Sequence, residues 1–291
     1  MFDAPKHPSR VPFDGSFRIR KAPTRPPDGT PGKKALEQEL ADVVSDLSKL
    51  QERLYADDRV AVLAVFQAMD AAGKDGTIRA VLTGVNPAGC QVYSFKRPSE
   101  QELDHDFLWR HLAAAPERGR IGIFNRSWYE EVLVVRVHPE LLDRQRLPWR
   151  PSGERLWAER LDSIADVERH LARNGTAVVK FFLHVSKDEQ RDRFLARIDD
   201  PSKHWKFQEG DVAERVHWDA YHAAYEAALN ATSKPWAPWY AVPADDKASM
   251  RLEVARILRD TLRSLELEVS RTDPAREARL AALRAALVAE R

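Results

Sequence analysis

The sequence predicts an α/β fold: a five-stranded parallel sheet with helices on both faces. Three observations predict it. Five apolar runs of strand type alternate with segments of helical periodicity. The first run, Val60–Phe66, is of the valine-rich kind that is buried on both faces, and it breaks into a small-residue loop holding Gly73, Lys74 and Gly76. Ser-x-x-Glu spacings at Ser99–Glu102 and Ser186–Glu189 mark helix starts just past two of the strands.

A chain of 291 residues buries a full α/β core and leaves room for extensions. Its 46 Lys and Arg face 45 Asp and Glu, a net charge of +1. Without a global field, polyanion binding falls to local clusters of Arg and Lys, and nucleic acid is not an expected partner. The one cysteine, Cys90, excludes an internal disulfide and a four-cysteine zinc site. It suits a reducing cytoplasm, the expected location. No apolar run approaches the roughly 18 residues of a membrane span, and the N-terminus lacks a signal-peptide core, so no membrane is expected either.

Residues 1–32 mix Pro, Gly, Arg and Lys without periodicity, and their prolines predict an extended arm with no regular structure. Its basic residues touch an anionic ligand, or the arm packs on the body or on a neighbouring subunit. Residues 33–56 form a helix whose apolar stripe, Leu36, Leu40, Val43, Leu47, Leu50 and Leu54, docks on the sheet or serves self-association.

The first strand and its loop then read as a phosphate cradle. Backbone N–H groups at a helix start point at an anion, and Lys74 adds a full charge. Ala72, Gly73, Asp75, Gly76 and Thr77 are the loop's candidate contacts. The pattern departs from Gly-x-x-x-x-Gly-Lys-Ser/Thr, with Ala68 at the first glycine and Asp75 at the hydroxyl position. An ordinary strand-to-helix turn is the alternative. A carboxylate at Asp70 repels phosphate unless a divalent cation lies between, so Asp70 is a magnesium ligand or else a helix N-cap.

A helix over 77–84 follows, then a turn at Asn86–Gly89 and a second strand over Gln91–Phe95. Lys96 and Arg97 lie just past that strand's end, where ligands bind in such sheets. The capping box at Ser99 opens a helix running through Phe107, Leu108, Trp109 and Leu112. The third strand lies in the first part of Arg120–His138 and ends at Asn125, Arg126 and Ser127. P-loop enzymes often carry a metal-holding acid there, whereas Asn125 is neutral and offers a hydrogen bond to metal-bound water. Glu130 or Glu131 supplies the missing negative charge. Arg126 is a bidentate phosphate clamp or else a surface salt bridge.

Residues 139–153 read as a loop and 154–173 as a helix ended by Asn174-Gly175. The fourth strand, Thr176–Val185, is interrupted by Lys180 and by His184, which is read as a hydrogen-bonded core residue. The helix Lys187–Ile198 places Arg193 and Arg197 on one face, four residues apart. With the lysine-bearing loop to Asp211 it looks like a kinase lid over 187–211, or else a solvated basic helix. A helix over 212–229 carries Trp218, Tyr221 and Tyr225, core residues unless one stacks on a base. A fifth strand over Trp239–Val242, a helix over 247–268 and a C-terminal helix within 271–291, with Asp273 as N-cap and Pro274 at N1, complete the chain. That last helix is surface-packed or an oligomer contact.

Four ordered motifs, Ala68–Thr77, Phe124–Tyr129, Val134–His138 and Asp200–Lys206, together resemble the polyphosphate kinase 2 family, closest to members that phosphorylate both AMP and ADP. The resemblance implies a thymidylate-kinase-like P-loop kinase domain over 33–270. It also implies inorganic polyphosphate as donor, ADP or AMP as acceptor with ATP among the nucleotides handled, and magnesium, with manganese as a substitute. A homo-oligomer, dimer or tetramer, is implied as well. The expected catalytic set is Asp70, Lys74, Asn125, Arg126 and Arg193, with Asp70 on the metal. Lys96, Glu131, Arg197, Lys203 and Lys206 join the expected phosphate and nucleotide contacts. Ala68 and Asn125 depart from the residues common in the family and leave the metal count and the AMP-versus-ADP preference open. The expected reaction is reversible, direct in-line transfer of a terminal phosphoryl group. Its rivals are an ATP-dependent nucleoside monophosphate kinase and a non-catalytic polyphosphate- or nucleotide-binding module. The residues alone reach a P-loop phosphotransferase.

Overall fold

A computed structural model describes residues 2, 4–207, 209–268 and 274–290. The N-terminal arm is extended, with one 3-10 turn at Ile19–Lys21 that its prolines leave room for. Helix α1 (Lys33–Asp57) follows and buries Leu36, Val43, Leu47 and Leu54. Strand β1 (Ala61–Ala68) is buried at every position, which is why it reads as one unbroken apolar run. The glycine- and lysine-bearing loop leads into α2 (Lys74–Val81), three residues earlier than the periodicity suggests. Strand β2 (Cys90–Ser94) is the more exposed edge of the sheet.

The capping box at Ser99 is real: Ser99 N donates to Glu102 Oε2 at 2.7 Å and Glu102 N to Ser99 Oγ at 3.3 Å. The helix it opens is nevertheless short. It divides into α3 (Glu100–Leu103) and α4 (Trp109–Leu112), because the Asp106 carboxylate takes the Leu108 N–H at 2.9 Å and restarts the chain. Strand β3 (Ile121–Asn125), a 3-10 turn at Trp128–Val132 and α5 (Val134–Val137) come next. The expected loop over 139–153 holds a 3-10 turn at Pro139–Gln145.

Helix α6 (Glu154–Arg173) has its expected bounds, and β4 (Thr176–His184) is continuous through Lys180. The lysine does not interrupt the strand because its ammonium is consumed. Lys180 Nζ pairs with the Glu168 carboxylate of α6 and donates to Tyr129 Oη at 3.0 Å and the Thr232 carbonyl at 2.8 Å. Helix α7 (Lys187–Ile198) also has its expected bounds. The helix expected over 212–229 is instead α8 (Glu209–Ala213), a 3-10 turn at Glu214–His217 and α9 (Trp218–Thr232). Strand β5 (Trp239–Pro243) leads to α10 (Lys247–Arg263), which stops short of 268, and α11 (Pro274–Ala289) is exposed throughout. The expected N-cap, Asp273, lies outside the described residues.

All strand pairs are parallel, in the order β2-β3-β1-β4-β5. The crossover connections group α1, α2 and α10 in one layer and α6 and α9 in another. The stripe of α1 packs along α10, inside the body. The arm covers the open edge of β5. Val11 N donates to the Trp239 carbonyl at 2.9 Å, and Ala241 N to the Ser9 carbonyl at 2.8 Å. Among the described residues no helix is long and apolar enough to cross a membrane.

Candidate active site

The carboxyl ends of β1, β3 and β4 lie level, with Phe66 beside Asn125 and Ala68 beside Leu183. The chain leaves β1 toward one face of the sheet and leaves β3 toward the other. Diverging connections open a crevice at the strand ends. Asp70 and Lys74 enter it from the first connection, Asn125 and Arg126 from the second.

The first connection is a tight cradle. Ala71 takes φ 59° and Gly73 φ 108°, both left-handed. At Gly73 a side chain is disfavoured by the backbone and would also press on Met250 Cε at 3.3 Å. Gly73 is the N-cap of α2, so Asp70 is not the helix cap. Lys74 Nζ donates to the Ala68 carbonyl at 3.0 Å. Burial under the loop, reinforced by the Arg126 charge, pulls the Lys74 ammonium down to about 8.

Arg193 braces this loop from beneath. Its Nη1 donates to the Ala71 and Ala72 carbonyls at 3.1 and 2.7 Å. Its Nη2 donates to the Ala244 and Asp245 carbonyls at 2.6 and 3.2 Å, and Nε to Glu189 at 2.8 Å. All of the guanidinium's N–H donors are therefore spent on the fold. This corrects the expected role: Arg193 lines the crevice, yet it acts as a strut for the cradle and leaves no donor for a phosphate.

On the other wall Arg126 sits at φ 64°, fixed by its N–H to the Phe66 carbonyl at 3.0 Å. Its guanidinium donates to Asp70 Oδ1 at 2.9 Å and Glu130 Oε2 at 3.0 Å. Glu130 foremost, then Asp70, holds its pKa above the ordinary arginine value, so the charge is permanent. The turn behind it is pinned by buried side chains. Gln67 Nε2 donates to Ser127 Oγ at 3.2 Å, and Tyr129 Oη to Glu168 Oε1 at 2.8 Å. Asn125 Nδ2 donates to Asp75 Oδ1 at 2.6 Å.

Two cavities meet at Asp70, Arg126 and Asp211. The larger, about 930 Å³, is a charged cleft lined on one side by Lys74 and Asp75, on another by Lys96 and Asn125, and on a third by Arg197, Lys203 and Trp205. The smaller, about 210 Å³, is a chamber with apolar and aromatic walls of Met69, Leu133, Val134, Tyr221 and Tyr225. Glu130, His138, Gln190, Glu214 and Arg215 add polar groups to those at the junction.

The expected site residues divide accordingly. Asp70, Gly73, Lys74, Asp75, Gly76, Lys96, Asn125, Arg126, Arg197 and Lys203 share the charged cleft. Ala72 and Thr77 do not reach it. Ala72 is buried with its carbonyl on Arg193, and Thr77 Oγ1 turns inward to the Gly73 carbonyl at 3.0 Å. Glu131 is also corrected. It is buried against Arg160, at 2.9 Å, and Gln145, at 2.7 Å, while its neighbour Glu130 faces the chamber. The side chain of Lys206 lies outside the described residues. The sequence reading missed Arg79, Lys247 and Arg251, three further cations of the cleft. Lys247 and Arg251 are four residues apart at the start of α10, just past the end of β5. The strand-end rule that singled out Lys96 would have found them.

The donor set fits a small hard cation. Asp70 and Asp75 offer carboxylate oxygens to the cleft, and among the described residues no group of three or more His, Cys, Asp and Glu side chains could hold an ion alone. One or two carboxylates completed by phosphate oxygens and water is the way magnesium is held.

The model of the family described as polyphosphate kinase 2 matches residues 31–269. An ADP-polyphosphate phosphotransferase of Rhodopseudomonas palustris is 54% identical, over 93% of this chain and 94% of that protein. An AMP/ADP-polyphosphate phosphotransferase of Meiothermus ruber is 46% identical, over 92% and 97%. The crystal structure of polyphosphate kinase 2 from Arthrobacter aurescens TC1 superposes with a TM-score of 0.86 at 37% identity, covering 97% of this chain and 98% of that one. With its cradle, its paired cavities and these relatives, the chain belongs to the polyphosphate kinase 2 family.

Proposed function

We propose that this chain transfers the terminal phosphoryl group of inorganic polyphosphate to ADP or AMP, with magnesium, or manganese in its place. The carrying observation is the pair of cavities joined at Asp70 and Arg126: one charged enough for a polyanion, the other walled by apolar and aromatic side chains for a nucleoside. The family's kinases generally need a divalent metal. Bound beside Asp70 and Asp75, the ion would neutralise phosphate charge.

The residues then have distinct jobs. Lys74, Lys96, Arg197, Lys203, Lys247 and Arg251 hold the polyphosphate chain, with Lys74 at its end. Arg126, charged at every working pH, bridges donor and acceptor phosphates. The cradle's N–H groups at Gly73 and Lys74 orient the transferred group, and Arg193 keeps the cradle rigid. An acceptor phosphate oxygen attacks the terminal phosphorus, a new phosphoanhydride forms, and the old one breaks to leave a polyphosphate shorter by one unit. No protein nucleophile is needed, because positioning and charge neutralisation carry phosphoryl transfer. Bonds made and broken are both phosphoanhydrides, so the reaction runs in either direction.

The deciding experiment mixes the protein with magnesium and polyphosphate and either AMP or ADP, with no ATP. Appearance of ADP or ATP supports the reading. No product there, but ADP from AMP once ATP replaces polyphosphate, makes the chain an ordinary nucleotide kinase. Saturable binding without product makes it a binding module.

A further inference from the structure

Four of the six tyrosines are buried: Tyr129, Tyr221, Tyr225 and Tyr240. Three of them spend their hydroxyls on the fold. Tyr129 donates to Glu168 at 2.8 Å, Tyr221 to Glu214 at 2.8 Å and Tyr240 to the Pro5 carbonyl at 2.8 Å. Tyr225 is 4% exposed, yet among the described residues its hydroxyl has no hydrogen-bond partner. The oxygen is not among the buried polar atoms that lack a partner, so it opens on the chamber, where a ligand can reach it and no group of the fold claims it. The residue lines the chamber, and its ring packs on Phe182 of β4 at 4.5 Å between centroids, which fixes where the hydroxyl points.

The geometry points to Tyr225 as a substrate contact: its hydroxyl donates a hydrogen bond to the sugar-proximal phosphate of the acceptor nucleotide. This rests on the reading that the chamber receives the nucleotide. The neighbouring charges agree with the assignment. Glu130, Arg126 and Asp70 act on the phenol, which places it beside the junction where the two substrates meet. Burial first, then the Glu130 charge, keeps the phenol protonated far above neutral pH, so it is a donor and not a base. With ADP the reacting phosphate is one unit further on, at Arg126, and Tyr225 sets the register behind it. With AMP the contacted phosphate is itself the reacting one, so AMP depends on the hydroxyl for attack as well as for binding.

Tyr225→Phe tests this, because it removes the hydroxyl and keeps the ring against Phe182. The KM for ADP should rise about tenfold, the worth of a hydrogen bond to a charged group, with the KM for polyphosphate unchanged. With AMP, kcat should fall as well. The melting temperature should hold, since the fold makes no use of the hydroxyl. Nucleotide KM and kcat within twofold of the parent overturn the assignment, as does a rise confined to the polyphosphate KM. Initial-rate patterns of the parent separate this from the underlying reading. Intersecting lines with ADP and polyphosphate support two separate cavities, and an unaffected Tyr225→Phe then sinks the tyrosine alone. Mutual competition between ADP and polyphosphate sinks the two-cavity reading, and the tyrosine with it.

Discussion

Asn125 and Asp75 face each other across the sheet end, joined by a 2.6 Å hydrogen bond from the amide to the carboxylate. P-loop enzymes commonly place a hydroxyl on the loop and an acid on the strand. Here the acid is on the loop and the neutral group on the strand, so the one negative charge survives on the opposite wall. The amide also fixes which way the carboxylate points.

Asp75→Asn removes that charge while keeping the shape. The magnesium concentration for half-maximal rate should rise about tenfold or more, as losses around a metal site commonly do. A magnesium titration of initial rate measures it. An unchanged half-saturation point rules out Asp75 as part of the metal's surroundings.

Lys74→Ala should lower kcat by about 10²–10³, the cost of losing one preorganised charge at the transferring group. Among the described residues its ammonium makes one hydrogen bond, to the Ala68 carbonyl. Thermal unfolding should therefore shift little. A variant with near-full activity would refute the role.

The pH dependence follows from the same lysine. Its folded pKa of about 8 lies below the ordinary 10.5. Below about pH 8 the free protein carries the ammonium, and above it the charge is lost. The kcat/KM for polyphosphate should fall as pH rises through about 8, whereas kcat at saturation should fall later, because bound phosphate holds the proton on. The stability effect runs the other way. Burying the charged form costs stability below pH 8, and that cost fades as pH climbs toward 10.5. Lys74→Arg should remove the alkaline limb from kcat/KM, since guanidinium stays charged.

If Arg193 is a strut, charge alone will not replace it. Arg193→Lys cannot reach four carbonyls and Glu189 together, so it should resemble Arg193→Ala: a loss of about 2–4 kcal/mol in stability and a fall in kcat. Chemical denaturation and rate measurements on both variants decide it. Full activity in the lysine variant would return Arg193 to the role of a simple phosphate charge.

Lys247→Ala and Arg251→Ala should raise the KM for polyphosphate several-fold, more for long chains than short ones, and leave the ADP KM alone. The effect should shrink with added salt, as exposed charge interactions do. Equal effects on both substrates would remove these residues from the polyphosphate track.

Much of the fold was legible because strands buried on both faces read as continuous apolar runs, and β1 and β4 are of that kind. The cradle was legible because glycines and a lysine in a strand-to-helix loop have few other uses. What was not legible depends on partners distant in sequence. The donors of Arg193 are taken by carbonyls up to 52 positions away in the β5–α10 connection, and 121 or 122 positions back in the cradle. Glu130 and Glu131 are neighbours, and only the course of the 3-10 turn decides which one meets Arg126 and which meets Arg160. Lys180 reads as an interruption until Glu168 comes up against it from α6. Tyr225 has the spacing of a core residue, and it is one; the unused hydroxyl shows only once its surroundings are known.

The strand-like pairing of the arm with β5 carries a practical consequence. Thr24 accepts the Asp245 N–H at 2.8 Å, next to the carbonyls that Arg193 grips. A version trimmed to begin after residue 25 would bare the rim of the sheet at Trp239–Ala241 and loosen the corner on which the cradle's brace rests. Such a truncate should associate through that rim and recover poorly from heating.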